Sequence, residues 1–427
     1  MGTETFLSER SFAEELPVKK SGAPKRAVDM PLLVVVIALT VFGLIMMFSA
    51  SWDYSLLQYG SAMHMFWRQL AWLGGGIAAA LFLSRFDYHR WRKWVIPAMG
   101  LTIILLVAVL LANEILLGAS RYLFNGSFQP SELAKVITIL YLSVWLYAKR
   151  EFIHKITFGL LPLSVILGVI GGLILRQPDL STAAMVLMLG GLLFFLAGGD
   201  LKQIIILLVI AIIVGWAIVL TPTGHDRVTS FIAGFKDPTQ ASYHVQRSFE
   251  AIVNGGWFGV GIGRGQAKVT GLPVPPTDSI FAVIVEELGL AGAIFLVALY
   301  ALLIWRGLVI ARRAPDMLGT LIASGLVISI GIQAAINMSV MVGLVPFSGD
   351  PLPFVSAGGS NLIVSLASIG ILMNISRQKG ETTISSMATS SDEEGRTFSA
   401  ALDLRRWNRR RRVPRSRRSQ RLSIQKR

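Results

Sequence analysis

PLLVVVIALTVFGLIMMFSA, residues 31–50, carries no charged side chain over twenty positions. At 1.5 Å of rise per residue a helix of that length is about 30 Å long, the thickness of a bilayer's hydrocarbon core. Nine further apolar runs follow, at 66–84, 94–112, 132–148, 157–174, 181–198, 201–220, 279–305, 318–345 and 357–375. A backbone in hydrocarbon must satisfy its own hydrogen bonds, and no period-two alternation of a barrel is present. The expected fold class is therefore an all-α integral membrane protein of about ten transmembrane helices. A large extracytoplasmic loop, residues 221–278, is expected between the seventh and eighth.

Composition agrees. Hydrophobic residues make up 53% of the 427 and charged residues 15%, against about 25% charged in a typical soluble domain. Cysteine is absent, which removes disulfides, thiolate catalysis and Cys-ligated metals. The first 28 residues are polar and lack a cleavable signal pattern, so the first run is expected to stay as a span.

Lys and Arg alternate between the loops. One side holds Lys19, Lys20, Lys25 and Arg26, then Arg85, Arg90, Arg92 and Lys93, then Lys149, Arg150 and Lys155, then Lys202, then Arg306, Arg312 and Arg313. The opposite side is sparse, and stretches 50–65 and 346–356 have no Lys or Arg. The bias toward one side predicts a multi-pass protein with both termini in the cytoplasm. The division expected is a cytoplasmic N-terminal tail (1–29), a polytopic membrane domain (30–377) and a disordered basic cytoplasmic tail (378–427). From Arg377 onward there are fifteen Lys and Arg against five Asp and Glu. Such a tail beside a last span is expected to lie near anionic lipid and not to bind nucleic acid.

Three constellations carry candidate chemistry. Leu272-Pro273-Val274-Pro275-Pro276-Thr277-Asp278-Ser279-Ile280-Phe281 leads into the eighth run, with Glu286 and Glu287 further along it. Thr277 or Asp278 is expected to cap that helix. Asp278 is either only the cap or an acid facing a lipid headgroup, and the two glutamates are either functional or a packing contact. The second is Gly118-Ala119-Ser120-Arg121-Tyr122 followed by Gln129-Pro130-Ser131-Glu132-Leu133-Ala134-Lys135. Glu132 and Lys135 share a helix face, as a self-neutralising pair or as a cation set for a diphosphate. Arg121 suits phosphate oxygens as well. The third runs from Tyr243-His244-Val245-Gln246-Arg247-Ser248 to the glycines 255–265. Those glycines either cradle phosphate with backbone N–H groups or merely permit a tight path. Arg247, Arg264 and Lys268 add positive charge on the sparse side. Asp179, in Gln177-Pro178-Asp179, and Ser356, in Pro353-Phe354-Val355-Ser356-Ala357-Gly358-Gly359-Ser360, complete the candidates. The five histidines show no metal-ligand spacing.

Six of these segments, in this order, resemble the signatures of the SEDS family of cell-wall glycan polymerases, the FtsW and RodA type. The resemblance covers roughly residues 30–377. An extended N-terminus and long basic tail lean toward the FtsW type. The resemblance implies a bacterial cytoplasmic membrane enzyme that polymerises lipid II into peptidoglycan strands at the outer face. It implies a class B penicillin-binding protein as crosslinking partner, among other divisome or elongasome proteins. It puts the family's essential acid on Asp278 and its conserved lysine on Lys135. Four positions depart from the usual pattern: Pro276, Ser279, Arg247 and Ala357, where His, Phe, Gln and Tyr are common. The implied reaction is an inverting displacement with Asp278 as general base and positive charge on the leaving diphosphate. Lys135, Arg121, Arg247, Arg264 or a divalent cation (Mg or Mn) would balance that charge. No organic cofactor is expected. Gln129, Glu132, Asp179, Gln246, Ser248, Thr277, Glu286 and Ser356 are expected to bind or support substrate. A lipid II flippase, or a scaffold that only recruits a penicillin-binding protein, is the alternative.

Overall fold

The computed structural model describes residues 28–111 and 128–378. Arg121 and its motif, residues 1–27 of the N-terminal tail and residues 379–427 of the basic tail lie outside the described residues.

Every expected apolar run is helical where described. The first seven are α1 (Met30–Tyr59), α2 (His64–Arg85), α3 (Trp91–Leu111), α4 (Pro130–Lys149), α5 (Leu160–Arg176), α6 (Leu180–Leu196) and α7 (Leu201–Val219). The last three are α10 (Ile280–Arg312), α11 (Met317–Met341) and α12 (Gly359–Arg377). By length and composition, α1, α3 with the 3-10 turn before it, α4, α10, α11 and α12 suffice to cross a membrane, and α5, α6 and α7 are shorter apolar helices. The chain is an all-α multi-pass membrane protein.

The long connection between α7 and α10 is more ordered than its mixed composition suggests. It contains α8 (Pro222–Lys236) and α9 (Tyr243–Gly255). Thr221 caps α8 by accepting from the Gly224 amide at 3.2 Å. In α9 the buried positions are Val245, Ser248, Ala251 and Gly255, a one-sided helical stripe. Both helices are additions to the expected loop.

Two seams place the rest. Helices α2 and α12 approach closely through small residues: a side chain at Gly76 would overlap Leu366, and one at Gly370 would overlap the Ala80 backbone. This is how spanning helices gain packing where lipid removes the hydrophobic drive. Helices α1 and α10 are fastened at both ends. Arg306 makes two 2.8 Å bonds to Asp29, which also caps α1 through the Leu32 amide. At the other end the Ser49 hydroxyl donates to the Glu287 carboxylate at 2.7 Å.

Candidate active site

The residues before α10 do not cap it in the expected way. The N-cap is Ser279, and its side chain does not accept from the first turn. The hydroxyl of Ser279 donates to the Pro273 carbonyl (2.9 Å) and that of Thr277 to the Val274 carbonyl (3.2 Å). Both side chains are spent on folding the proline-rich turn back on itself. Asp278 stands one residue before the cap, half-buried.

Three successive carbonyls fix its backbone. The Ala357 amide donates to Pro276 (2.7 Å), the Ser356 hydroxyl to Thr277 (2.6 Å) and the Asn337 amide nitrogen to Asp278 (2.9 Å). Ser356 in turn accepts from the Leu352 amide at 2.7 Å. Two positions that depart from the usual family pattern, Pro276 and Ala357, thus meet through backbone atoms alone. Asn337 also donates to the Asp350 carbonyl at 2.7 Å. Asp278 is therefore held by α11 and by the turn before α12.

One helical turn before Asn337, Gln333 performs the same service for the lysine. Lys135 donates to Gln333 Oε1 at 2.9 Å, and Gln333 donates to the Pro351 carbonyl at 3.1 Å. The expected Glu132–Lys135 ion pair forms at 2.9 Å with both side chains only 2% exposed. Asn361 on α12 donates to Glu132 at 2.9 Å. Asp179 caps α6 through the Thr182 amide, and its other oxygen accepts from Ser131 (3.0 Å) and Gln129 (3.2 Å). Asp350 is buried beside this group. Burial, reinforced by the Asp179 carboxylate and opposed by the Lys135 ammonium, pushes its carboxyl from 3.8 up to about 6.

All of these groups sit at one end of the bundle: the first turns of α4 and α12, the starts of α6 and α10, and the last turns of α11. The sequence reading found Gln129, Glu132, Lys135, Asp179, Asp278 and Ser356. It missed Gln333, Asn337, Asp350 and Asn361. The first two were detectable as amides four residues apart inside an apolar run, where polar groups are costly unless paired.

The third constellation lies apart from this cluster. The glycine-rich stretch packs on a break in α10 at Gly289, whose φ of 69° is left-handed. The Val260 and Gly261 amides donate to the Glu286 and Glu287 carbonyls at 3.0 Å, and Leu290 and Ala291 donate to the Gly256 and Trp257 carbonyls. A side chain at Gly255, Gly259 or Gly289 would overlap the opposing backbone. Of the two readings of the glycines, the structure shows close approach: the Val260 and Gly261 amides face α10. The Glu286 carboxylate accepts from the Gln266 and Ala267 amides at 2.9 and 3.1 Å. Glu287 pairs with Lys268 at 2.8 Å. Arg247 pairs with Glu250 at 2.6 Å and lies over the Tyr243 ring. Of the three expected loop cations, two thus carry a carboxylate partner, and Arg264 is exposed. Gln246 donates to the Thr239 and Ala241 carbonyls, and Ser248 to the His244 carbonyl. The Gln246 bonds hold α9 to its own loop, whereas the Ser248 bond lies within α9, and its hydroxyl also meets Met341 Sδ of α11 at 3.2 Å. Among the described residues no three His, Asp or Glu side chains form a metal-ligating group.

Known proteins similar to this chain form a consistent set. The FtsW/RodA/SpoVE cell cycle protein family matches residues 30–381. A probable peptidoglycan glycosyltransferase FtsW of Trichlorobacter lovleyi is 36% identical over 353 residues, 82% of this chain and 93% of that protein. Stage V sporulation protein E of Bacillus subtilis is 34% identical, covering 83% and 98%. A solved chain of a peptidoglycan synthase complex coordinating polymerization and crosslinking superposes with a TM-score of 0.68 at 27% identity, covering 82% and 98%. Rod shape determining protein RodA of Thermus thermophilus gives 0.61 at 26% identity, covering 82% and 97%. This chain belongs to the FtsW/RodA/SpoVE family.

Proposed function

We propose that this protein is a peptidoglycan glycosyltransferase that polymerises lipid II, with Asp278 as the general base. The observation that carries the reading is the fixing of Asp278. Three consecutive backbone carbonyls are bound from outside its helix, and none of those bonds uses its carboxylate. The clamp orients the residue from α11 and from the turn before α12. Precise placement of a base is what a displacement needs.

In the reaction proposed, the 4-hydroxyl of one GlcNAc attacks the anomeric carbon of a MurNAc. A C–O bond forms, the bond to the undecaprenyl diphosphate breaks, and the hydroxyl proton passes to the Asp278 carboxylate. The leaving diphosphate keeps the bonding electron pair. One displacement converts an α-linked donor into a β-linked product. Charge on the diphosphate is balanced by Lys135 of α4, which bonds Gln333 one turn of α11 before Asn337, and by exposed Arg264. No step is routed through a metal.

The distribution of Lys and Arg supports cytoplasmic termini and a catalytic end on the outer face of the cytoplasmic membrane. The solved synthase complex supports a penicillin-binding protein as partner. Confinement of the polar cluster to one end of the bundle favours an enzyme over a flippase, which requires a polar path through the membrane.

The test is polymerisation of purified lipid II by the protein with its cognate transpeptidase, comparing wild type with Asp278→Asn. Loss of long glycan in a folded, partner-bound variant is the expected result. Wild-type yield from Asp278→Asn would remove Asp278 from the mechanism. No glycan from either protein, with transport of lipid II retained, would favour the flippase.

A further inference from the structure

The two fastenings between α1 and α10 act as a ruler. Ser49 lies twenty residues along α1 from Asp29, and Glu287 lies nineteen residues along α10 from Arg306. At about 1.5 Å per residue the α1 interval is about 30 Å, the thickness of the hydrocarbon core, and the α10 interval is tied to it at both ends. Each fastening is ionic: Asp29 with Arg306 at one level, and Glu287 with Ser49 and Lys268 at the other. Charges of this kind gather where hydrocarbon gives way to headgroups. The Ser49–Glu287–Lys268 cluster therefore marks the boundary on the α9–α10 side.

The α9–α10 connection passes below that boundary. Gly256 and Trp257 bond to the amides of Leu290 and Ala291 at 2.9 and 3.2 Å. Those residues are three and four positions beyond Glu287, past the break at Gly289 and on the side toward the bilayer centre. Irregular backbone at such depth is tolerated only where protein satisfies its polar groups. Here it is satisfied: the Gly256 and Trp257 carbonyls and the Val260 and Gly261 amides all bond to α10. The side chains face the other way. Val253 is 78% exposed, Trp257 71% and Phe258 87%. Leu290, Ile294 and Val297 continue this apolar surface down α10.

We propose that the α9–α10 connection is a membrane-immersed wedge, with Trp257 and Phe258 inserted among the lipid acyl chains just inside the headgroup boundary. The chemistry fits hydrocarbon. Val253 near the end of α9 and Trp257 and Phe258 in the connection are turned outward, beside backbone carbonyls and amides bonded to α10, at a depth where aromatic rings favour the interface. The wedge would tie the loop leading to Asp278 to the bilayer surface, and it stands whether or not the chain polymerises glycan.

The absence of cysteine makes the test clean. Phe258→Cys and, separately, Trp257→Cys in the full chain each give one site for a nitroxide. The labelled protein is reconstituted in phospholipid vesicles, and collisions with oxygen and with an aqueous nickel complex are compared by power saturation. Val269→Cys, exposed in the same connection, is the aqueous reference, and Val297→Cys on α10 is the hydrocarbon reference. The expected result is an oxygen-to-nickel ratio at 257 and 258 near that of the hydrocarbon reference and well above the aqueous one. Ratios matching the aqueous reference would overturn the proposal. A nitroxide immobilised and shielded from both quenchers would overturn it equally, because protein would then cover the wedge.

Discussion

Asn337→Asp isolates the clamp on Asp278. The substitution keeps the size of the side chain and removes its amide donor. The carbonyls of Asp278 and Asp350, at 2.9 and 2.7 Å from that nitrogen, lose their common partner. Two hydrogen bonds of about 1 kcal/mol each amount to ~2 kcal/mol. Spent on placing the base, that corresponds to about 30-fold in rate, rising toward ~100-fold if the carboxylate moves by about 1 Å. The loss is expected in kcat with KM little changed, because Asn337 touches the backbone of the acid. Protonation of the introduced carboxyl restores one donor, so part of the loss should return as the pH falls. The assay is the initial rate of lipid II polymerisation over a range of substrate and pH, with a thermal melt of the same preparation. A wild-type kcat in folded protein would refute the reasoning, and so would a loss confined to KM.

Two further outcomes are expected of the buried cluster. Lys135→Ala leaves the Glu132 carboxylate buried without its cation, and breaking such a pair costs about 3–5 kcal/mol. The variant should unfold early in a thermal melt, and adding Glu132→Gln should recover most of the loss; no recovery would mean that Lys135 does not stabilise through Glu132. Asp350 binds its proton more tightly in the folded chain than in the unfolded one. The stability it contributes is fully present below 3.8 and is lost as the pH rises to about 6. Wild type should therefore lose stability relative to Asp350→Asn across that interval in chemical denaturation, and parallel curves would refute the assignment.

The spans were legible because hydrocarbon leaves the backbone few options, and runs such as 31–50 and 201–220 admit only a helix. Helices α8 and α9 were harder: their sequences mix Gly, Pro and charge, and only the spacing Val245, Ser248, Ala251, Gly255 marks a buried stripe. The cap of α10 slipped by one residue because Thr277 and Ser279 turn back onto the preceding carbonyls, a local competition that composition does not reveal. Lys135 and Glu132 were readable as a pair from their spacing. Their neighbours Gln333 and Asn361 come from distant spans, and the pairing of these amides with Lys135 and Glu132 became visible only once the helices were assembled. The glycines at 255–265 carried a signal with two meanings, and the break at Gly289 decides between them: their amides face α10.

The double fastening of α1 to α10 also restricts how the molecule can move. Sliding either helix along the other by one turn would separate Asp29 from Arg306 and Ser49 from Glu287 together, stranding charge at both membrane boundaries. The pair is thus a rigid strut, and pistoning between its members is closed off. Any motion that admits a lipid-linked donor or releases a lengthening strand must be carried by helices packed outside the strut, with α1 and α10 as the fixed frame against which they tilt.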